Sequence, residues 1–209
     1  MSTSQRIHGV YAITDPVAGE GEHLLLHVRQ ALEGGVRILQ YRDKTTDHAR
    51  RQLEAVALLK LCEAYGATFI INDDVELAAE IGAHGIHIGK NDATLKKARA
   101  QLTPEAIIGV SCYNQLQLAK EAAEAGADYV AFGRFFASQT KPNAIQAEVE
   151  ILTQAKAELS LPVVAIGGIS PENGDQLIQH GADALAIIQG IFAQTDIKAA
   201  AQRHAALFQ

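Results

Sequence analysis

Eight short runs of aliphatic and β-branched residues recur from one end of the chain to the other: Gly9 to Ile13, Val36 to Tyr41, Thr68 to Ile71, Gly85 to Ile88, Ile107 to Ser111, Tyr129 to Gly133, Pro162 to Gly167 and Ala184 to Ile188. Such near-continuous apolar strands belong to parallel sheets covered by helices rather than to sheets with one wet face. The stretches between them supply the helices. Ala49 to Tyr65 and Gln115 to Ala125 are rich in Ala, Leu, Glu, Lys and Gln at helical spacing, and Ile197 to Leu207 closes the chain in the same manner.

A local signature precedes several of the strands: Glu33-Gly34-Gly35, Ile81-Gly82-Ala83, Ala125-Gly126-Ala127-Asp128 and His180-Gly181-Ala182-Asp183. Glycine at such a point supplies the left-handed residue that ends a helix before the chain turns into the next strand. Eight βα units in 209 residues sit at the small end of the (β/α)8 TIM barrel range, and no Ser/Pro/Gly-rich linker divides residues 1–209, so one barrel domain is expected. The runner-up is a doubly wound open sheet. Its glycine-rich dinucleotide signature is missing after the first strand, where Thr14-Asp15-Pro16 stands instead.

Composition narrows the function classes. With 48% hydrophobic and 20% charged residues the chain can bury a large core, and a formal charge of -6 argues against a polyanion-binding surface. No nucleic-acid partner is expected, and any phosphate binding must be local. Cys62 and Cys112 lie far apart without zinc or disulfide spacing, which fits a reducing compartment. The first residues show no charged segment followed by an apolar one, and no apolar run approaches the roughly 18 residues of a membrane span. A cytoplasmic location without membrane contact is the expectation; oligomeric state, a homo-oligomer included, is left open.

In a barrel of this kind the chemistry sits at the carboxyl ends of the strands, and every one of those ends is polar here. The second strand runs into Gln40-Tyr41-Arg42-Asp43-Lys44, where alternation puts Gln40, Arg42 and Lys44 on one side and Tyr41 and Asp43 on the other. An arginine fork beside a lysine suits phosphate oxygens. Asp73 and Asp92 follow neighbouring strands, and two carboxylates with phosphates and water satisfy Mg²⁺. Asp92 could equally cap the helix that follows it, and Asp74 most simply starts the helix through Leu77 and Ala78. Gly167-Gly168 and the Gln189-Gly190 turn follow the seventh and eighth strands, where such barrels often hold a phosphate on backbone amides. Ser138-Gln139-Thr140-Lys141 is a hydroxyl-rich loop suited to an oxyanion. His87 reads as a packed, hydrogen-bonded residue, Cys112 as a small filler, and Asp15 as the start of a turn.

Taken in order, these segments resemble the thiamine phosphate synthase family. The match runs from Gly9-Val10-Tyr11-Ala12-Ile13-Thr14-Asp15 through Gln40 to Lys44, Ile71-Asn72-Asp73-Asp74, Gly85 to Gly89, Gly109-Val110-Ser111 and Ser138 to Lys141 to Ala165-Ile166-Gly167-Gly168-Ile169-Ser170. The resemblance implies a (β/α)8 enzyme that joins 4-amino-2-methyl-5-hydroxymethylpyrimidine diphosphate to a thiazole phosphate with Mg²⁺, releasing thiamine phosphate and diphosphate. Carried over by motif, Gln40, Tyr41, Arg42, Asp43, Lys44, Asn72, Ser111 and Lys141 bind the pyrimidine diphosphate. Ser138, Gln139, Thr140, Gly168, Ile188 and Gln189 bind the thiazole phosphate, and Asp73 and Asp92 hold the metal. Arg42, Lys44, Ser111 and Lys141 are the catalytic candidates, since a departing diphosphate needs charge stabilisation and the attacking ring nitrogen needs no general base.

Three positions depart from the common pattern. Ala137-Ser138 stands where many members carry Pro-Thr, Gln189 where many carry serine, and Lys90-Asn91-Asp92 where many carry Gln-Glu-Asp. Two rival activities are a thiazole tautomerase on the same scaffold, which would not need the diphosphate and metal cluster, and a non-catalytic binder of phosphorylated metabolites.

Overall fold

The computed structural model describes residues 3–89, 92–137 and 145–209, apart from the side chains of Ser4, Asp92 and Ala93. Eight strands close on themselves: β1 (Gly9–Ile13), β2 (Ile38–Tyr41), β3 (Thr68–Asn72), β4 (Gly85–Ile88), β5 (Ile107–Tyr113), β6 (Tyr129–Gly133), β7 (Val163–Ile166) and β8 (Ala184–Ile187). Each pairs in parallel with the next, and β8 pairs back with β1, Tyr11 standing opposite Ala186. That closing pair makes a (β/α)8 barrel and excludes the open sheet. None of the described helices is long and apolar enough to cross a membrane.

Two strand ends differ from expectation by two residues, for local reasons. Val36 stays outside β2 because its amide is still bonded to Ala31 of the preceding helix at 3.2 Å. β5 runs two residues past Ser111, through a register shift between Ser111 and Tyr113 that re-aims its last residue. The helix His48–Tyr65 begins and ends on residues whose chemistry favours it. Asp47 accepts the Arg50 amide at 3.0 Å to open His48–Tyr65, and Gly66, at φ +66°, ends it in the left-handed region. In Glu33-Gly34-Gly35 the left-handed residue is Gly35, at φ +100°, while Gly34 continues the helix at φ -80°.

Period-two alternation sorts the strand residues into two cores. Val10, Ala12, Leu39, Phe69, Ile71, Ile86, Ile108, Val130, Phe132 and Leu185 point outward and pack under the helices. Tyr11, Ile13, Ile38, Ile70, Ile107, Tyr129, Val164 and Ala184 point inward and fill the barrel. The recurring Gly-Ala-Asp has its own purpose. Asp128 accepts the amide of Ile108 at 2.7 Å and Asp183 that of Val163, also at 2.7 Å, so each carboxylate satisfies a neighbouring strand at the amino end of the barrel.

Candidate active site

At the carboxyl ends of the strands lies a cavity of about 470 Å³. Gln40, Arg42, Asn72 and Ser111 line it, as do Gly167, Gly168, Ile188 and Gln189. These sequence-expected residues thus converge from β2, β3, β5, β7 and β8, whereas Tyr41, Asp43, Lys44 and Asp73 stand outside the lining.

The segment after β2 shows how the chain aims Arg42. Thr14, just past β1, donates its amide to the Gln40 carbonyl at 2.9 Å and takes the Arg42 amide on its hydroxyl at 2.9 Å. Tyr41 and Asp43 turn the other way. The Tyr41 hydroxyl donates to Glu54 at 2.6 Å, and the Asp43 carboxylate takes Arg50 at 2.7 Å and the Thr45 amide at 2.7 Å. Burial works against the Asp43 charge, but the Thr45 hydrogen bonds and the Arg50 guanidinium hold its carboxyl below the ordinary carboxylate value. Expected to bind substrate, Tyr41 and Asp43 instead brace the segment from behind, because strand alternation puts their side chains outside the barrel. Lys44 is exposed and stands beyond the cavity lining.

Most arginines near this end are engaged in structure: Arg50 with Asp43 and Arg51 with Asp74, each at 2.7 Å. Arg42 differs. Among the described residues its guanidinium makes no ion pair, and it borders the cavity. An unneutralised guanidinium beside a concave surface is an anion site in waiting.

The turn after β7 is held open by glycine for steric reasons. A Cβ on Gly167 would lie 2.3 Å from Arg134 Cβ, and one on Gly168, at φ +65°, 2.3 Å from the Ala137 carbonyl oxygen. Asn173 locks this turn, donating to the Gly168 carbonyl at 3.0 Å and accepting the Ser170 amide at 2.8 Å. After β8 the short helix Gln189–Phe192 begins at the cavity wall, and its first amides have no acceptor within the helix.

Asp73 and Asp74 separate as their neighbours dictate. Asp74 accepts the Leu77 amide at 3.0 Å and opens the helix Val75–Ile81. Asp73 sits in the left-handed region at φ +63°, exposed, its carboxylate taking Asn72 Nδ2 at 2.8 Å. A carboxylate carried on a backbone conformation that Asp tolerates and most residues resist is placed there at a cost. As a hard, solvent-facing oxygen ligand it fits Mg²⁺. Asp92 begins the helix Asp92–Gln101 directly after β4, its side chain lying outside the described atoms, as do Ser138, Gln139, Thr140 and Lys141 entirely. Among the described residues no group of three or more His, Cys, Asp and Glu could hold a metal by itself.

Several lining residues escaped the sequence reading. Tyr113, at φ +55° and 44% exposed, stands at the mouth where the β5 bulge turns it. Arg134 follows β6 directly, and Gln194 reaches the wall with its amide on the Gln189 carbonyl at 3.1 Å. Arg134 could have been found, being a cation at a strand end. His87 is packed as expected, with Nδ1 at 2.9 Å from the Tyr129 hydroxyl and Nε2 at 2.8 Å from Ser111, but it also borders the cavity. Cys112 is fully buried and its thiol is pushed up to about 12 by burial, which removes it from nucleophilic chemistry.

A closed parallel barrel whose polar groups gather around a cavity at the strand carboxyl ends defines a (β/α)8-barrel protein. The match to known proteins sharpens that class. Residues 10–191 fit the family model of thiamine monophosphate synthase. The thiamine-phosphate synthase of Thioalkalivibrio sulfidiphilus is 49% identical over 99% of this chain and 98% of its own length. That of Alcanivorax borkumensis is 52% identical over 98% and 95%. The solved thiamine phosphate pyrophosphorylase of Pyrococcus furiosus superposes with a TM-score of 0.87 at 30% identity, covering 97% of this chain and 96% of that one. The chain belongs to the thiamine monophosphate synthase family and is a transferase of thiamine biosynthesis.

Proposed function

We propose that the enzyme joins 4-amino-2-methyl-5-hydroxymethylpyrimidine diphosphate to a thiazole phosphate, forming thiamine phosphate and releasing diphosphate. The observation that carries this reading is Arg42: a guanidinium with no ion pair among the described residues, on the cavity wall between Gln40 and the strand-end polar groups Asn72 and Ser111. Three strands round the barrel, the Gly167-Gly168 turn and the start of the short helix after β8 offer backbone amides to a second phosphate. Two anion sites in one cavity suit two phosphorylated substrates better than one.

In the reaction the carbon–oxygen bond between the pyrimidine methylene and diphosphate breaks, its electron pair leaving with the diphosphate. The thiazole nitrogen then donates its lone pair to the methylene carbon. Negative charge grows on the leaving group, and Arg42, together with Lys44 and Lys141, is the chain's means of stabilising it. Gln40, Asn72 and Ser111 hold the pyrimidine diphosphate, while Gly168, Ile188 and Gln189, with Ser138, Gln139 and Thr140, hold the thiazole phosphate. Mg²⁺ held by Asp73 and Asp92 would neutralise further charge on the diphosphate. No proton has to leave the nucleophile. That agrees with a site where His87 has both ring nitrogens engaged by hydroxyl groups of the protein.

The test is to mix purified protein with both substrates, with and without Mg²⁺, and measure thiamine phosphate. Metal-dependent formation is expected. Isomerised thiazole phosphate without thiamine phosphate would replace this reading with the tautomerase.

A further inference from the structure

Across the cavity floor, five side chains from five strands form one unbroken line of hydrogen bonds. Gln40 of β2 donates Nε2–H to the Tyr11 hydroxyl of β1 at 2.7 Å. Tyr11 lies 2.8 Å from the Tyr129 hydroxyl of β6, and Tyr129 2.9 Å from His87 Nδ1 of β4. His87 Nε2 then lies 2.8 Å from Ser111 of β5. Gln40, His87 and Ser111 line the cavity; Tyr11 and Tyr129 do not. β5 has given up a side chain to make room for this line, since a Cβ on Gly109 would fall 1.9 Å from Tyr129 Cζ.

We infer that Tyr11 and Tyr129 are positioning residues that fix the His87 tautomer and oblige Ser111 to offer its hydrogen to the bound pyrimidine diphosphate. This rests on the substrate reading above only for the identity of the ligand. A phenol has a single hydrogen to give, so direction propagates along the line. Tyr11 accepts from Gln40, and its own buried hydrogen, costly to leave without an acceptor, goes to Tyr129. Tyr129 donates in turn to His87 Nδ1, which must then be bare. The neutral ring carries its hydrogen on Nε2 and gives it to Ser111 Oγ. The Ser111 hydrogen is left over, and the cavity is where it can go. The site thus demands a hydrogen-bond acceptor at Ser111 and is set to do so from β2, on the far side of the barrel floor. Burial keeps both phenols protonated, as the line requires.

The tautomer can be read without substrate, from ring-nitrogen shifts in protein labelled with 15N-histidine, the His87 signals being identified by their loss in His87→Gln. The wild type is expected to show Nε2–H; a ring protonated on Nδ1 overturns the inference. Gln40→Glu, at about pH 8 where a carboxylate only accepts, reverses every donor and moves the hydrogen to Nδ1. Adding Tyr11→Phe cuts the line and returns it to Nε2. A Gln40→Glu protein with an unchanged tautomer, or a reversal that survives Tyr11→Phe, overturns the relay. If Gln40→Glu fails to fold, Tyr11→Phe decides by kinetics. With every cavity-lining group retained, its KM for the pyrimidine diphosphate is expected to rise about fivefold while that for the thiazole phosphate stays within about twofold. Equal effects on both overturn the relay. Absence of thiamine phosphate from the wild type would strike the substrate assignment alone, leaving the tautomer to judge the line.

Discussion

Asp73 and Asp74 are adjacent acids in a single turn, and their partners give them separate work. Asp74 is spent on structure, capping the helix Val75–Ile81 and holding Arg51 at 2.7 Å. Asp74→Ala is therefore expected to cost about 1 kcal/mol in a denaturant titration and to leave turnover near wild type. Asp73→Asn keeps the left-handed backbone that Asn also tolerates, so its melting temperature should hold. If Asp73 holds Mg²⁺ as proposed, turnover should drop on the order of a hundredfold. Equal rates for this variant and wild type at saturating Mg²⁺ would remove Asp73 from the metal site. Gly109 is a residue whose importance lies in what it lacks. Gly109→Ala drives a methyl into the Tyr129 ring and is expected to destabilise by an amount at the upper end of the roughly 1–3 kcal/mol typical of overpacked cores, as measured by urea unfolding.

At the scale of elements, most of the architecture was legible before any coordinates. The eight runs fell on the eight strands to within two residues at each end, because buried parallel strands are apolar on both faces and leave an unmistakable run. Alternation also ordered the segment after β2, sending Gln40 and Arg42 inward and Tyr41 and Asp43 outward. What stayed hidden was pairing at long range: Tyr11 and Tyr129 touch across 118 positions, and no local pattern encodes that. The Tyr113 bulge was hidden as well, since a register shift depends on the partner strand. The last helix, Ile197–Ala205, carries a further consequence. It buries His204, whose Nδ1 faces the Ala200 carbonyl at 2.9 Å and whose Nε2 makes no hydrogen bond among the described residues. Burial, with Arg203 nearby, lowers the pKa of that ring below its ordinary 6.5. The unfolded chain therefore binds a proton that the folded one refuses. Stability from this site is complete above pH 6.5 and is lost as pH falls toward the lowered value. Denaturant midpoints at pH 8 and pH 5.5 should differ, and His204→Gln should shrink the difference.

For the whole molecule, the tyrosines report barrel integrity. The chain has five of them and no tryptophan, so the long-wavelength near-ultraviolet band, beyond phenylalanine, follows phenols. Burial raises the pKa of Tyr11, Tyr129 and Tyr41, aided for Tyr41 by the Glu54 carboxylate. The unfolded chain gives up these protons near pH 10 and the folded one keeps them, so their contribution is intact below that value and lost above it. Ionisation of these three should coincide with the loss of far-ultraviolet dichroism on alkaline titration, in one step. The two cores that the strands keep apart have a bearing on how such a protein can change over generations. Val10 and Tyr11 are neighbours in the chain, yet one answers to the helices and the other to the barrel interior. Substitutions accumulating under the helices are screened from the catalytic floor by a sheet of backbone, and those inside the barrel are screened from the helices. The shell is free to drift with its host while the interior keeps its chemistry, and a designer could vary either lineage of positions while leaving the other untouched.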